Sequence, residues 1–275
     1  MKKQMLDDKK LAILGCGKIG ETLLSSLLDS GAVEKYKVTA SAGHQERCDA
    51  LSKKYGIRAT VNNREAAKGA DVLLICVKPQ TVREVLRQIK PAVKKNQVII
   101  SVAASVPTES IASWLGKPAA IVRAMPNTPC AVRAGMITIC AGPHAGPEHM
   151  KIAREIFSCT GRVLELDEKH MDAVTGLSAS GPAYIYMVLE SLAEGGVKVG
   201  LSREVATELA AQTALGAAKL LLETKEHPAK LKDAVTTPAG CTIDGLLELE
   251  AGGLRVALIK AVVRSAQRAK ELVKG

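Results

Sequence analysis

Residues 11–20 read Leu-Ala-Ile-Leu-Gly-Cys-Gly-Lys-Ile-Gly and decide the fold of the first half of the chain. The four apolar residues predict a short buried strand, and the glycines follow at the spacing of a dinucleotide-binding loop. Gly15 would allow the tight turn, Gly17 would let the backbone approach a pyrophosphate, and Gly20 would let the next helix pack on the strand. Because an amphipathic segment follows at 21–28, we expect the pyrophosphate at the start of a helix.

Strands and helices alternate from this loop as far as residue 124. Beyond the first strand, the expected strands are Lys37–Ser41, Ile57–Val61, Asp71–Val77, Val98–Val102 and Ala119–Ala124, and the expected helices are Glu46–Tyr55, Gln80–Ile89 and Val106–Leu115. This order predicts an α/β fold with a Rossmann-type, doubly wound parallel sheet.

The pattern becomes helical beyond Gly161. The segments with helical periodicity are 172–177, 182–194, 203–223, 231–235, 243–250 and 254–273. Several of them are apolar on more than one face, and a small domain cannot bury such helices alone. We therefore expect a Rossmann domain at 1–165 and an all-helical dimerisation domain at 166–275.

Composition indicates a globular protein with an aliphatic core. Apolar residues make up 47% of the 275 residues and charged residues 24%, but aromatic residues only 2%. The net charge of +10 suits an anionic cofactor or substrate. Because no basic cluster contains interleaved aromatic residues, nucleic-acid binding is not expected. No window approaches eighteen consecutive apolar residues, so no membrane segment is expected.

Seven cysteines without a CxxC pair predict free thiols in a reducing compartment. The segment Met1–Lys10 lacks the apolar core of a signal peptide and the pattern of a transit peptide, so we expect a cytoplasmic protein. No metal site is expected. His144 and His149 are five residues apart, in a Gly/Pro-rich stretch that predicts a surface loop.

The end of the second expected strand bears on which dinucleotide binds. Enzymes that prefer NAD usually carry an acidic residue there, which accepts hydrogen bonds from the ribose hydroxyls. This chain has Ser41 and, six residues later, Arg47, which would suit a 2′-phosphate. We therefore expect NADPH as the cofactor, with NADH as the alternative. The other interpretation makes Arg47 an ordinary exposed helix residue beside Glu46.

Three further loops should contact the cofactor, since they follow the carboxyl ends of expected strands. They read Cys76-Val77-Lys78-Pro79, Val102-Ala103-Ala104 and Met125-Pro-Asn127-Thr-Pro. Small residues in the second loop leave room for a ribose or a nicotinamide. In the third loop, an amide side chain stands between two prolines that stiffen its position.

Two polar segments interrupt the helical half. Residues 172–184 place a Ser/Gly/Pro hinge before a long helix, and residues 231–245 place a Pro-Ala-Gly-Cys-Thr loop before another. In the second segment, the backbone N–H groups of Gly240, Cys241 and Thr242 are expected to be unpaired and to bind a small carboxylate. The alternative is that Thr242 simply caps the helix.

From residue 11 to residue 272, these segments resemble the pyrroline-5-carboxylate reductases. The resemblance rests on the glycine loop, the 77–79 turn, residues 125–129, the 176–184 hinge and the 236–242 loop. The chain departs from the usual family pattern at Ala179, Ala239 and Cys241, where the family has glycine, glycine and threonine. The resemblance implies a domain-intertwined dimer that assembles into larger rings, commonly decamers.

The resemblance also implies the reaction. Hydride would pass from nicotinamide C4 to the C=N carbon of 1-pyrroline-5-carboxylate, giving L-proline. Thr242 would be the catalytic residue near the imine nitrogen, as a proton donor or relay. The substrate carboxylate would lie on the backbone of 239–242, and Glu168 would lie near the ring. The alternative for Glu168 is a solvated surface position among charged neighbours.

The complete set of expected site residues, which adds Leu14 and Asn63 to those argued above, is the following. The substrate-binding residues are Glu168, Ala239, Gly240, Cys241 and Thr242. The cofactor-binding residues are Leu14, Gly15, Cys16, Gly17, Lys18, Ile19, Gly20, Ser41, Asn63, Cys76, Val77, Lys78, Pro79, Val102, Ala103, Ala104, Met125 and Asn127.

Two other functions compete with this interpretation. A 3-hydroxy-acid dehydrogenase of related architecture would need a helix-borne lysine as its acid/base, and residues 182–192 contain none. A non-catalytic dinucleotide sensor would have no use for an anion-binding loop at 236–245. A serine hydrolase is excluded, because neither Ser178 nor Ser180 stands in a G-x-S-x-G motif.

Overall fold

The computed structural model describes Leu6 and residues 8–272. Residues 1–5 and 7 of the segment Met1–Lys10, together with Val273 at the expected end of the last helix, lie outside the described residues. The strands are β1 (Leu11–Leu14), β2 (Val38–Ser41), β3 (Arg58–Thr60), β4 (Val72–Ile75), β5 (Val98–Ser101), β6 (Ala120–Met125), β7 (Gly135–Ala141) and β8 (Gly161–Glu165). The α-helices are α1 (Lys18–Asp29), α2 (Gln45–Tyr55), α3 (Asn63–Ala67), α4 (Pro79–Ile89), α5 (Thr108–Leu115), α6 (Pro147–Ser158), α7 (Met171–Val174), α8 (Gly181–Lys198), α9 (Arg203–Thr224), α10 (Pro228–Ala234), α11 (Cys241–Ala251) and α12 (Leu254–Leu272).

All eight strands form one sheet in the order β3-β2-β1-β4-β5-β6-β7-β8. The first six strands are parallel to one another, which confirms the predicted doubly wound sheet. β7 runs antiparallel to β6, and β8 runs parallel to β7. The expectation of six strands, with only helices beyond Gly161, was therefore wrong, because two more strands extend the sheet and β8 begins at Gly161.

Each central strand contributes to two apolar layers, one on each face of the sheet. In β1, Leu11 and Ile13 join the cluster that includes α1 and α6, whereas Ala12 and Leu14 join the cluster that includes α4 and α5. Because both faces are covered, these strands are apolar throughout. The sheet is thus held rigidly, and the loops at its carboxyl edge have a fixed support.

The helix ends agree with local chemistry. Pro79 is the first residue of α4, where its missing N–H is harmless. α2 and α5 end at Gly56 and Gly116, whose φ values of 67° and 63° are left-handed. These stops bring the chain back to the start of the next strand.

The chain divides into two compact units, residues 1–179 with 265–275 and residues 180–264. The predicted domain boundary between residues 165 and 166 stays a prediction, since compactness alone does not define a domain. Within the second unit only Ala193, Ala206 and Ala210 are fully buried. Its helices therefore expose most of their apolar surface. No helix in the described part of the chain is long and apolar enough to cross a membrane.

Candidate active site

The three glycines of the first loop occupy three different environments. Gly15 has a φ of +80°, and a Cβ placed on it would overlap the Cγ1 methyl of Val77. A Cβ on Gly17 would meet no atom within 4 Å, whereas one on Gly20 would lie 3.3 Å from the Cβ of Cys76. These environments correspond to the tight turn, the open approach and the close helix packing that a dinucleotide loop requires.

Helix α1 begins directly after this loop without a side-chain cap. The N–H of Gly17 donates to the Gly15 carbonyl at 2.8 Å, and the N–H of Glu21 donates to the Gly17 carbonyl at 2.8 Å. The N–H groups of Lys18 and Ile19 precede the first intrahelical bond of α1 and can serve an anion. The loop and helix therefore fit the pyrophosphate of a dinucleotide.

Ser41 and Asn63, which were both expected to bind the cofactor, are joined to this loop. The Ser41 hydroxyl accepts from the Gly15 N–H at 3.1 Å and donates to Asn63 Oδ1 at 2.5 Å. The Ser41 carbonyl accepts from the Cys16 N–H at 2.7 Å. Because Ser41 is only 1% exposed, its hydroxyl acts within the protein, where it supports the glycine loop.

Arg47, the cation expected near a 2′-phosphate, bonds both the glycine loop and a carboxylate. Its Nε donates to the Cys16 carbonyl at 3.2 Å, and its Nη2 donates to Glu21 Oε2 at 2.5 Å. The interpretation of Arg47 as an ordinary exposed helix residue is wrong, because the guanidinium bonds the glycine loop. The ion pair with Glu21 compensates the Arg47 charge, and the expected role of Arg47 beside a 2′-phosphate stays a prediction.

The other expected cofactor loops lie at the carboxyl edge of the same sheet. The Cys76 N–H donates to the Leu14 carbonyl at 2.8 Å, and the Val102 N–H donates to the Ile75 carbonyl at 3.0 Å. Lys78 is the N-cap residue of α4 and has no side-chain cap bond. The loops after β1, β4 and β5 are therefore neighbours, as the parallel topology predicts.

The remaining residues of these loops serve mainly as support. Ala103 is buried, and its N–H donates to the Ser101 hydroxyl at 3.3 Å. Asn127 Nδ2 donates to the Ser178 carbonyl at 3.2 Å, and Asn127 Oδ1 accepts from the Met136 N–H at 2.9 Å. The Asn127 amide thus anchors its loop to the backbone of residues 136 and 178. Met125 and Ala104 lie in a small apolar cluster with Met171.

The cysteines of the site are neutral thiols. Burial raises the pKa of Cys16 to about 12, and it also raises the pKa of Cys76. A thiol with a raised pKa supplies little thiolate at neutral pH, so neither side chain is suited to nucleophilic chemistry. All seven cysteines of the chain are free.

A cavity of about 570 Å³ opens beside this loop, along one side of α1. Lys18, Ile19 and Asn127 are among its lining residues, but Gly15, Cys16 and Gly17 are not. The cavity continues along α1 as far as Asp29. The cavity therefore includes only part of the expected cofactor-binding set.

Glu168 lies at the start of α5. Its carboxylate accepts from the Thr108 N–H at 2.8 Å and from the Thr108 hydroxyl at 2.5 Å. It also forms an ion pair with Arg123 Nη1 at 3.2 Å. The alternative of a solvated surface glutamate is therefore wrong, since both oxygens are bonded. Its expected role near the substrate stays a prediction.

Arg123 and Glu21 were not predicted from the sequence. Arg123 is 2% exposed, and its Nε and Nη2 have no partner among the described residues. A charge inside the apolar strand Ala-Ile-Val-Arg-Ala-Met was the signal, since a buried charge needs a counter-ion. The pattern that could have indicated Glu21 is weaker, since it is only an acidic residue in the first turn of an expected helix.

The expected substrate loop lies in the second unit, before α11. Gly240 is the N-cap residue, and no side chain caps the helix. The Gly240 N–H donates to the Thr237 carbonyl at 3.0 Å, so the expectation of an unpaired donor there was wrong. Thr242 is the second residue of α11, which excludes it as the N-cap. The N–H groups of Cys241 and Thr242 precede the first intrahelical bond and agree with a carboxylate site.

The backbone of the substrate loop is unusual at position 239, where this chain departs from the family pattern. Ala239 has a φ of 57°, in the left-handed region that favours glycine. A Cβ on Gly240 would overlap Thr237 Oγ1, so a side chain there would displace the turn. The loop therefore keeps a left-handed turn at position 239, although this chain has alanine where the family pattern has glycine.

Of the two histidines, His144 lies in an exposed turn between β7 and α6, as expected, whereas His149 does not lie in a loop. His149 lies in the first turn of α6, and its Nδ1 accepts from the Gly146 N–H at 3.0 Å. The predicted surface loop at this position was therefore wrong. No group of three or more His, Cys, Asp and Glu side chains that could hold a metal occurs among residues 8–272 or at Leu6.

Comparison with known protein families gives two matches. Residues 168–272 match the family model described as pyrroline-5-carboxylate reductase dimerisation. Residues 10–105 match the model described as NADP oxidoreductase coenzyme F420-dependent. The two matches cover the helical half and the glycine-loop half of the chain.

Individual relatives match over nearly the whole chain. The pyrroline-5-carboxylate reductase of Methanosarcina acetivorans is 42% identical over 98% of this chain and 100% of its own length. That of Synechocystis is 43% identical over 96% of this chain and 98% of its own length.

Solved structures of pyrroline-5-carboxylate reductases are similar to this chain over nearly its whole length. The reductase of Coxiella burnetii has a TM-score of 0.90 at 34% identity and covers 98% of this chain and 100% of that one. The Plasmodium falciparum enzyme, solved with NADP bound, has a TM-score of 0.88 at 29% identity and covers 97% of this chain and 99% of that one.

Proposed function

The chain belongs to the pyrroline-5-carboxylate reductase family, and from this premise we propose how its own residues carry out the reaction. It is an oxidoreductase that reduces the C=N bond of 1-pyrroline-5-carboxylate to give L-proline, with a nicotinamide dinucleotide as cofactor. A lysine-dependent 3-hydroxy-acid dehydrogenase is not favoured. The observation that carries the function here is the glycine loop, where Gly15 is crowded and Gly17 faces open space.

We propose NADPH as the preferred cofactor and NADH as the poorer one. Residues 39–45, from β2 to the start of α2, include no carboxylate that could accept hydrogen bonds from the ribose hydroxyls. The Plasmodium falciparum relative was solved with NADP bound, which supports the same choice. The reduced nicotinamide would supply the hydride.

The residues of this chain would bind and orient the reactants. The start of α1 would hold the pyrophosphate, and the loops at Cys76–Pro79 and Val102–Ala104 would border the ribose and nicotinamide. The N–H groups of Cys241 and Thr242 would hold the substrate carboxylate. A protonated imine accepts hydride far better than a neutral one, so we infer that the Thr242 hydroxyl donates or relays one proton to the ring nitrogen.

The chain forms a homo-oligomer, and we propose a dimer that assembles further into a decamer. The support is the large exposed apolar surface of residues 180–264, where Met187 is 71% exposed and Leu215 61%. Since the seven thiols are free, we also propose a reducing, cytoplasmic location.

A rapid-mixing assay tests the proposal. Purified protein is mixed with 1-pyrroline-5-carboxylate and either NADPH or NADH, while the absorbance of the reduced nicotinamide and the formation of proline are followed. We expect one proline per nicotinamide oxidised and a higher kcat/KM with NADPH. Cofactor binding without oxidation would contradict the reductase, and a higher kcat/KM with NADH would contradict the preference.

A further inference from the structure

Three contacts connect residues 41–47 to the glycine loop. Ser41 provides two of them, through its hydroxyl to the Gly15 N–H and through its carbonyl to the Cys16 N–H. Arg47 provides the third, because its Nε donates to the Cys16 carbonyl at 3.2 Å. The residue between Gly15 and Gly17 is therefore held at both its N–H and its carbonyl.

Glu21 fixes the other side of the Arg47 guanidinium. Its carboxylate accepts from Arg47 Nη2 at 2.5 Å, from Lys54 Nζ at 2.9 Å and from the Tyr55 hydroxyl at 2.8 Å. Arg47 lies near the start of α2, and Lys54 and Tyr55 lie at its end. A single carboxylate in the first turn of α1 thus holds α2 at both ends.

The Cys16 carbonyl belongs to the same planar peptide group as the Gly17 N–H. A bond that holds the carbonyl also fixes the orientation of this peptide, and the peptide leads directly into the uncapped start of α1. Because glycine tolerates many backbone conformations, the loop needs such a restraint to present one conformation to a ligand.

We propose that Arg47, held by Glu21, is a positioning residue for the pyrophosphate-binding loop and not the cation that recognises a 2′-phosphate. The inference rests on the proposed dinucleotide function of the same loop. It predicts that Arg47 contributes equally to the binding of phosphorylated and unphosphorylated dinucleotides, because both carry the pyrophosphate.

The substitution Arg47→Lys separates the two roles. Lysine keeps the positive charge, so it would still attract a 2′-phosphate. Its single ammonium cannot reproduce the planar fork that bonds a carbonyl and a carboxylate together. The probes are ADP-ribose and 2′-phospho-ADP-ribose, which share the pyrophosphate and differ only in the 2′-phosphate.

We expect Arg47→Lys to raise both dissociation constants by the same factor, about tenfold, since a bond from a charged donor is lost. In the assay, the KM for NADPH and for NADH should rise together while kcat stays constant. Glu21→Gln, which removes the counter-charge and keeps the side-chain shape, should weaken both probes by a smaller common factor.

Arg87→Lys is the matched control. Arg87 bonds Glu84 through Nε and Nη2 at 2.8 and 2.7 Å on the exposed face of α4, so it forms a similar fork away from the glycine loop. Arg87→Lys should leave both dissociation constants unchanged. If Arg87→Lys weakened the binding of both probes as much as Arg47→Lys does, the inference would be overturned.

Two further results would overturn it. One is a loss confined to 2′-phospho-ADP-ribose, which would make Arg47 the 2′-phosphate cation, and the other is unchanged binding of both probes by Arg47→Lys. If the wild-type chain binds neither probe, the proposed cofactor site fails as well. If the wild type binds both probes and Arg47→Lys binds them equally well, only the role of Arg47 is contradicted.

Discussion

Both carboxylate oxygens of Glu168 are bonded to Thr108, one to its N–H at 2.8 Å and the other to its hydroxyl at 2.5 Å. Glu168 thereby caps α5 from sixty residues further along the chain. The same carboxylate is the ion-pair partner of the buried Arg123. Removing its charge leaves both the helix start and the arginine with fewer partners.

We expect Glu168→Gln to lower the free energy of unfolding by about 1–3 kcal/mol, because a buried charged group loses its partner. If Glu168 also contacts the substrate, as predicted, the KM for 1-pyrroline-5-carboxylate should rise as well. Urea unfolding and steady-state kinetics measure the two quantities. Glu165→Gln is the control, since its exposed pair with Arg154 should contribute less than about 1 kcal/mol. Unchanged stability with a raised KM would instead support the predicted contact of Glu168 with the substrate.

The glycine loop allows a paired test. Gly15→Ala would place a methyl group against Val77 at a φ of +80°, so it should destabilise the protein without any ligand present. Gly17→Ala has free space at a φ of −84°, so its ligand-free stability should match the wild type. Its affinity for NADPH should nevertheless fall, because the new methyl group occupies the approach of the pyrophosphate. Thermal unfolding and cofactor titration separate these effects. Equal stability of the two variants would contradict the assigned environments.

Thr242→Ala tests the proposed proton transfer. If the hydroxyl donates or relays the proton, kcat should fall about 100-fold or more while the KM changes little. Thr242→Ser keeps the hydroxyl and should restore most of the turnover. A rise in KM at unchanged kcat would limit Thr242 to substrate binding.

Glu21 gives a pH dependence with a definite sign. The hydrogen bond from Arg47, followed by that from Lys54, lowers the pKa of Glu21 from 4.5 to about 2. Since the folded-state pKa is depressed, the stabilisation is present above pH 4.5 and is lost as the pH falls towards 2. Between pH 5.5 and 3.5, the stability difference between the wild type and Glu21→Gln should shrink by about 1 kcal/mol. Chemical unfolding at the two pH values measures the change, and a constant difference would contradict the lowered pKa.

The elements that local sequence dictates were predicted best. The apolar run 11–14, the glycines after it and Pro79 at the start of a helix each depend on neighbours along the chain. The order of strands and helices through β6 followed from them, except for the short helix α3, which was not predicted. Most ends differed by one or two residues, because the terminal hydrogen bonds depend on the adjacent strand, and α1 begins three residues before the expected segment.

Contacts between distant residues could not be predicted. β7 and β8 exist because β7 pairs antiparallel with β6, and no local pattern specifies that pairing. Glu21 was not predicted as a site residue, and Glu168 was predicted without its partners, since the partners of both carboxylates lie many residues away in sequence. Arg47 was recognised as a cation near the cofactor site, but the orientation of its guanidinium depends on Glu21, which was not predicted. A candidate site residue can thus be identified from its position and still have its partners misjudged.

The helices of residues 180–264 bury only three alanines completely, although leucines and valines project along several of their faces. A segment with so little interior cannot gain the apolar burial that usually offsets the entropy of folding. Association with further copies of the chain must supply it, so folding of this segment depends on protein concentration through mass action. The melting temperature should therefore rise with protein concentration, and dilution alone should act on these helices as a denaturant does.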